Sequence, residues 1–304
     1  MAEFLALICS TCLGIADFNS GLASRRAPAM VVALIGQSIA LLAAIVGVIA
    51  WPAIYSTQAL LWGSLAGLFT VIGMMVFYTA LGRSLMAVVS TITATMAAAV
   101  PVGVGVVINA EQPSLLTGLG IALALLAITL IVWRNNDNSG QRSFAPTSWK
   151  LAIGMGVVGG CAFGLGLVFY SRSPHNSGLW TMLGERSCSF LLLLLLVNYR
   201  FGRGGAGAGH LLLRCWTWMT AHHFVMAVAG VSGLFQGVAS MAYLNAVRNG
   251  PLSVIAVLST LYPAVTTFLA SLFLGERLRR NQLAGLILAL VAIGTLSYAL
   301  KQSG

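Results

Sequence analysis

The sequence predicts an all-α polytopic membrane protein, ten transmembrane helices arranged as two inverted five-helix repeats. Three observations carry that expectation: an apolar composition, ten apolar runs of spanning length, and a faint internal repeat. Of 304 residues, 59% are apolar and 7% charged, and mean hydropathy is +0.94. A soluble domain carries roughly 25% charged residues because its surface faces water. Sixteen basic and six acidic side chains cannot cover a molecule of this size, so most of its surface meets lipid. In lipid every backbone donor and acceptor must be paired internally, which leaves helices or a closed barrel. A barrel strand alternates apolar and polar residues over about 10 positions, whereas Leu191 to Val197 and Leu286 to Ala292 are unbroken.

A span needs about 20 mostly apolar residues. Reading from breaker to breaker places helices near 3–23, 30–50, 59–81, 86–108 and 115–133. The polar stretch 134–150 is the least membrane-like part of the chain. Five more helices fit near 151–170, 178–198, 218–246, 251–274 and 282–300, and the glycine-rich 200–210 reads as a flexible loop. The N-terminal run carries Glu3 where a signal peptide has basic residues, so it reads as a retained first helix.

Five spans, a linker and five spans suggest duplication. Shifting the chain by 165 positions aligns 78–111 with 243–276 without a gap. Tyr78, Arg83, Thr95 and Glu111 then coincide with Tyr243, Arg248, Thr260 and Glu276. Tyr, Arg and Glu are rare in this composition, which makes their shared register hard to dismiss. A repeat unit of five helices enters the membrane from the opposite side in its second copy, which gives inverted-topology halves. Such a pair can present one shared site to either face, the architecture of alternating access.

Residues 243–290 read YLNAVRNGPLSVIAVLSTLYPAVTTFLASLFLGERLRRNQLAGLILAL. This stretch resembles the second half of an EamA-type transporter of the drug/metabolite transporter superfamily. The resemblance rests on Tyr243, Arg248, Gly250-Pro251, Leu261-Tyr262-Pro263 and Gly275-Glu276-Arg277. The first half departs from the pattern: Ala97-Ala98 stand where Tyr262-Pro263 would repeat, and Leu13-Gly14 where the family often has Trp-Gly. The resemblance implies ten helices around a central cavity and transport of small metabolites, often export of amino acids or drugs. On this reading 1–133 and 151–304 are EamA-like repeats joined by the linker 134–150.

Candidate site residues follow from polar groups at membrane depth. Asp17 is the only carboxylate well inside the first helix, about 7–8 Å from the end near Leu22. An ionised Asp there costs roughly 2.5–3.5 kcal/mol on insertion scales, so it should face a wet cavity or a cation. Ser10, Leu13, Asp17, Ser20 and Ser24 form one stripe at helical spacing. Glu185 and Arg186 are neighbours about 100° apart on the seventh helix and are not expected to face each other directly. Asp17 is then an available anion for Arg186, and the guanidinium could hold a carboxylate bidentately. Small and hydroxyl residues line the ninth span (Ser253, Ala256, Thr260, Pro263, Thr267), the fourth (Thr91, Thr95, Ala98) and the eighth (Gly233, Gln236, Ser240, Tyr243). Thr95 and Thr260 lie about ten residues into their helices, roughly 15 Å deep. Such stripes also serve plain helix packing in membranes.

Other signals are weaker than their spelling. Gly154-x-Gly156-x-x-Gly159 lacks a preceding strand and a following acidic residue in a βαβ unit. Gly156, Gly160 and Gly164 fit helix packing instead. Cys9 and Cys12 lie one helical turn apart in an apolar run, with no second pair to complete a metal site. His222-His223 beside Trp216 and Trp218 suit an interface belt. Neither a catalytic set nor a cofactor motif is legible, and no metal site is expected. The reading is a secondary transporter and exporter of a small-molecule solute, driven by a substrate or proton gradient. Its expected surroundings are membrane lipid, in the plasma (inner) membrane of a bacterium. A membrane enzyme of lipid chemistry and a non-transporting sensory or assembly protein are the alternatives. Nucleic acid is not an expected partner despite the net charge of +10, because the basic residues sit between apolar runs. A monomer is expected, with a homodimer left open.

Twelve basic residues fall in loops after odd-numbered spans and three (Arg172, Arg248, Lys301) on the other face. The positive-inside rule then puts both termini outside the cytoplasm, while the family resemblance implies that both are inside. The charge count predicts that a green fluorescent protein exported at the C-terminus stays dark; a bright fusion defeats it.

Overall fold

Backbone groups left unpaired in a bilayer are costly, and the long apolar runs among the described residues are helical. The computed structural model describes residues 1–51, 53–81, 86–132, 149–202, 223–275 and 278–303. Its helices are α1 (Ala2–Ser24), α2 (Ala29–Ala50), α3 (Thr57–Leu81), α4 (Met86–Val107), α5 (Leu115–Val132), α6 (Trp149–Ser171), α7 (Trp180–Gly202), α8 (His223–Arg248), α9 (Leu252–Ser259), α10 (Tyr262–Leu274) and α11 (Arg280–Ser303). There is no strand among the described residues. Among the described residues ten stretches are long and apolar enough to cross a membrane, with α9 and α10 together making the ninth.

The expected boundaries stand close to these, with three differences. The seventh span runs on to Gly202, so the first residues of the expected glycine-rich loop are its last turn. The linker gives way to α6 at Trp149. The ninth span, expected as one helix over 251–274, is two helices. Residues 134–148, 203–222 (with Cys215, Trp216, Trp218 and His222), Arg83, Glu276 and Arg277 lie outside the described residues.

The break in the ninth span has a local cause. Pro263 has no N–H to offer the carbonyl of Ser259, one turn earlier, and its ring is tolerated only in the first turn of a helix. The chain therefore closes α9, passes Thr260 and Leu261 with ψ near zero, and restarts with Pro263 in the opening turn of α10. In the fourth span the position matching Pro263 is Ala98, which keeps its N–H, and α4 runs through it unbroken.

Helices of one half pack mainly on helices of the other. The larger contacts pair α1 with α8, α3 with α6 and α7, α4 with α6, α2 with α7 and α8, and α5 with α11. Lipid tails are as apolar as the side chains, so close contact between small residues drives this association instead of burial from water. On α6, Gly156, Gly160 and Gly164 face α4. A Cβ on Gly160 would sit 2.5 Å from the Met96 Cβ and 2.6 Å from the Thr93 carbonyl oxygen. Of the dinucleotide-like spelling, Gly156 packs on α4 and Gly159 on α3, while Gly154 meets nothing within 4 Å. Gly14 serves α1 in the same way, because a Cβ there would come within 2.4 Å of the Val265 Cβ on α10. Cys9 and Cys12 are buried free thiols of α1.

Two polar devices hold one end of the bundle. Glu111, in the loop before α5, accepts hydrogen bonds from the backbone N–H groups of Leu252 (2.7 Å) and Ser253 (3.1 Å) and from the Ser253 hydroxyl. It thereby satisfies donors that the start of α9 would leave bare. Arg248, the last residue of α8, donates to Ser173 Oγ (2.8 Å), the Pro174 carbonyl (3.0 Å) and Ser177 Oγ (2.9 Å), fastening α8 to the loop between α6 and α7.

Gly160→Ala should wedge α4 from α6 and cost about 1–3 kcal/mol by overpacking, whereas Gly154→Ala, with nothing within 4 Å, should be near neutral. Thermal unfolding of the two purified variants in detergent gives the comparison.

Candidate functional site

The largest concentration of polar chemistry lies where α7, α8 and α2 meet. Helices α1 and α8 run antiparallel: Gly250 lies against Ala2, while Ser232 meets Ala16 and Ser20. Gln236 and Ser240 fall between these two levels, near the middle of the membrane. Arg186 of α7 reaches into that level. Its Nη1 donates to Gln37 Oε1 (3.0 Å) and Gln236 Oε1 (3.4 Å), and its Nη2 to the Gln236 carbonyl (3.3 Å) and the Ser240 hydroxyl. Its Nε lies 2.9 Å from Glu185 Oε2, in an ion pair too bent to be a full hydrogen bond. Both side chains are buried, at 7% and 8% exposure.

This corrects the expectation that Glu185 and Arg186 would look elsewhere for partners. Their helical positions diverge, but both side chains are long enough to bend back, and a buried charge without its counter-charge is the more expensive arrangement. It also removes Asp17 as the partner of Arg186. An arginine has five N–H donors, and here four are spent on amides, a carbonyl and a hydroxyl while the fifth meets Glu185. The guanidinium is a structural hub and not an open clamp.

From the hub a polar chain continues to α1. Gln236 Nε2 donates to Ser232 Oγ (3.3 Å), and Ser232 Oγ donates to the Ala16 carbonyl (2.9 Å) and lies 2.7 Å from Ser20 Oγ. Asp17 follows Ala16 on α1 and is exposed; one turn earlier, Gly14 packs against the Tyr262 carbonyl of α10. Tyr243 packs against Tyr170, ring centroids 5.9 Å apart, and its hydroxyl donates to the Leu167 carbonyl at 3.4 Å.

The structure brings Arg186, Gln236 and Ser240 together and sets Asp17 and Tyr243 at the edges of that group. The threonines point elsewhere. Thr95 Oγ1 donates to the Thr91 carbonyl (2.9 Å) and lies 3.1 Å from Thr129 Oγ1 of α5. Buried Thr91 sits one turn earlier on α4. Thr260 Oγ1 donates to the carbonyls of Ala256 and Val257 within its own span. Sequence reasoning missed Gln37, Ser232 and Tyr170. Gln37 left a signal, a long polar amide in an otherwise apolar second span; Tyr170, at the end of the sixth span, left none. Among the described residues no group of His, Cys, Asp or Glu is assembled that could hold a metal ion.

Fold and core together define an integral membrane protein of ten helical spans built around a buried polar hub. Residues 150–298 match the EamA-like transporter family. That stretch, the second half of the chain, is similar to a family of membrane transporters within the drug/metabolite transporter superfamily. A protein of known crystal structure is similar along the whole length, with a TM-score of 0.68 at 15% identity, covering 99% of this chain and 96% of its own. At that identity the likeness speaks for the fold alone. Among curated proteins none matches.

Arg186→Leu leaves Glu185 buried without a counter-charge and should cost about 3–5 kcal/mol, seen as a fall in unfolding temperature and the loss of transport. Combining it with Glu185→Leu should recover most of that stability. Equal instability of the single and double variants would show that the bonds to Gln37, Gln236 and Ser240 matter more than the charge pair.

Proposed function

We propose that the protein is a secondary transporter that exports a small metabolite, such as an amino acid or a drug-like solute, across the plasma membrane of a bacterium by alternating access. The observation that carries this reading is the unequal packing of the ninth span. Every residue of α9 is buried and none of α10 is. One face of α1 has the same gradient. Ala6, Ser10, Asp17, Gly21 and Ser24 fall within about 60° of one another around the helix; the first two are buried and the last three exposed. Phe4 and Thr11, also exposed, mark a different side of α1. A face packed at one end and open at the other is what a crevice between the two halves would leave, closed at the end held by Glu111 and Arg248.

Closing the open end and opening the other requires the ninth span to bend, and the break at Thr260–Leu261 is a ready pivot. The pattern of helix pairs supports inverted repeats. Contact of α1 with α8 has its counterpart, five spans on, in that of α6 with α3; α2 with α8 corresponds to α7 with α3, and α4 with α6 to the ninth span with α1. In this reading Arg186, Gln236, Ser240 and Tyr243 form the floor of the crevice and Asp17 part of its wall. Thr91, Thr95 and Thr260 belong to the helix seams that must hold while the halves move.

Purified protein in liposomes should exchange at least one solute from a set of amino acids, nucleosides, sugars and cationic drugs. Folded protein that moves none of them, yet tightly binds a partner protein, would favour the sensory or assembly alternative. Pro263→Ala restores the donor missing at Ser259 and should stiffen the pivot by about one hydrogen bond, slowing exchange roughly three- to tenfold while solute affinity holds. Unaltered exchange kinetics in that variant would remove the pivot from the mechanism.

A further inference from the structure

We propose that Arg248, at the closed end of the bundle, holds the phosphate of an anionic phospholipid. The bonds that fasten Arg248 to the loop between α6 and α7 all fall on one nitrogen, Nη2. All of them end on neutral acceptors: Ser173 Oγ, the Pro174 carbonyl and Ser177 Oγ. Nε is buried without a hydrogen-bond partner. Nη1 has none among the described residues either, and it is not shut in. Two of the three nitrogens, and the whole positive charge, are left for something the described chain does not supply. Arg186 differs in this respect, since a carboxylate stands 2.9 Å from its Nε. Around Arg248 the loop from Arg172 to Leu179 contains no Asp or Glu. Glu111 is spent on the N–H groups of Leu252 and Ser253 and on the Ser253 hydroxyl. Glu3, whose neighbour Ala2 packs on Gly250, makes no ion pair among the described residues. A partly buried cation without a counter-charge is costly. The hydroxyls do not cancel it: Ser173, Ser177 and Thr181 are buried, and the latter two both bond Ser173.

Depth in the membrane selects the anion. Arg248 ends α8, and the loop it grips rests on the connection between α2 and α3, where a Cβ on Gly178 would come 2.4 Å from the Ala53 Cβ. That connection carries Trp51 and Tyr55, both exposed, and Tyr55 meets Trp180 edge-on with ring centroids 5.0 Å apart. Tryptophan and tyrosine gathered at one end of a helical bundle mark the level of the lipid headgroups. At that level the abundant anion is a phosphodiester, and a guanidinium gives it short, charge-assisted hydrogen bonds. A net-anionic lipid fits better than a zwitterionic one, because Arg172, exposed in the same loop, repels a headgroup ammonium. Seated on Nη1, the phosphate supplies the missing counter-charge. It also steadies the tie between α8 and the α6–α7 loop, and with it the closed end.

The test places the full chain in nanodiscs of phosphatidylcholine, with or without phosphatidylglycerol, and follows backbone hydrogen exchange over residues 171–180. Phosphatidylglycerol should slow exchange there about three- to tenfold, the effect of one further hydrogen bond on local opening. Inorganic phosphate added to phosphatidylcholine discs should not. Arg248→Gln should abolish the difference between the two lipids, whatever it does to the loop itself. Arg248→Lys keeps the charge and loses the fork; its loop should exchange faster in both lipids yet retain most of the difference between them. Equal exchange of the parent in the two lipids overturns the site, and so does a difference that survives Arg248→Gln. Inorganic phosphate protecting the loop as well as phosphatidylglycerol does overturns the lipid as the source of the anion. None of these readings depends on solute movement, so the lipid site and the transport activity are judged separately.

Discussion

A guanidinium cannot be left bare in the middle of a membrane. Arg186 meets that constraint by drawing on three helices at once: Glu185 on its own α7, Gln37 on α2, and Gln236 and Ser240 on α8. Desolvation makes each bond obligatory, because any partner withdrawn leaves a buried donor unpaired. The hub therefore sets the relative position of α2, α7 and α8, and through Ser232 it reaches α1. Glycine contacts, such as Gly160 of α6 against α4 and Gly14 of α1 against α10, then bring the remaining helices close enough for dispersion forces to act. Around such a centre, mobility has to come from the periphery.

The ninth span shows where that mobility can be placed. Its first half is held by Glu111 at its leading N–H groups and is wholly buried. Its second half begins at a proline, packs Val265 into the gap left by Gly14, and buries none of its residues. The fourth span, which the shift of 165 positions aligns with it, has alanine at the matching position and keeps an unbroken helix there, with Pro101 three residues further on. The ninth span thus lacks a backbone donor at Pro263 and is jointed there, where the fourth keeps its donor at Ala98 and runs on as a continuous helix.

Charge placement follows the same economy. Glu185 is spent on Arg186, while among the described residues no hydrogen bond or ion pair engages Asp17, on the face of α1 that runs from packed to open. Polar side chains one turn away, Ser20 and the Ser232 that bonds it, are engaged with each other. The free carboxylate is therefore a feature of the arrangement as a whole and not of the first helix alone.

Composition and the length of apolar runs determined by themselves that the chain is helical, that it spans a membrane ten times, and nearly where each span lies. Those properties depend on backbone hydrogen bonding in lipid, which is local to each segment and so is written locally. The family resemblance was legible for a similar reason, in motif residues such as Gly250-Pro251 and Leu261-Tyr262-Pro263 that shape the backbone where they stand. The tertiary structure decided which polar groups meet. Glu185 was read as turned away from Arg186, and Thr95 and Thr260 as equals of Gln236, because helical spacing gives a direction around one axis and nothing about the neighbour in that direction. Gln37 of α2 and Gln236 of α8 are 199 positions apart in the chain and share one guanidinium only because α2, α7 and α8 pack together. Whether a buried hydroxyl serves a site or its own helix is likewise settled by the distance to a partner on another helix, a quantity that no single span contains.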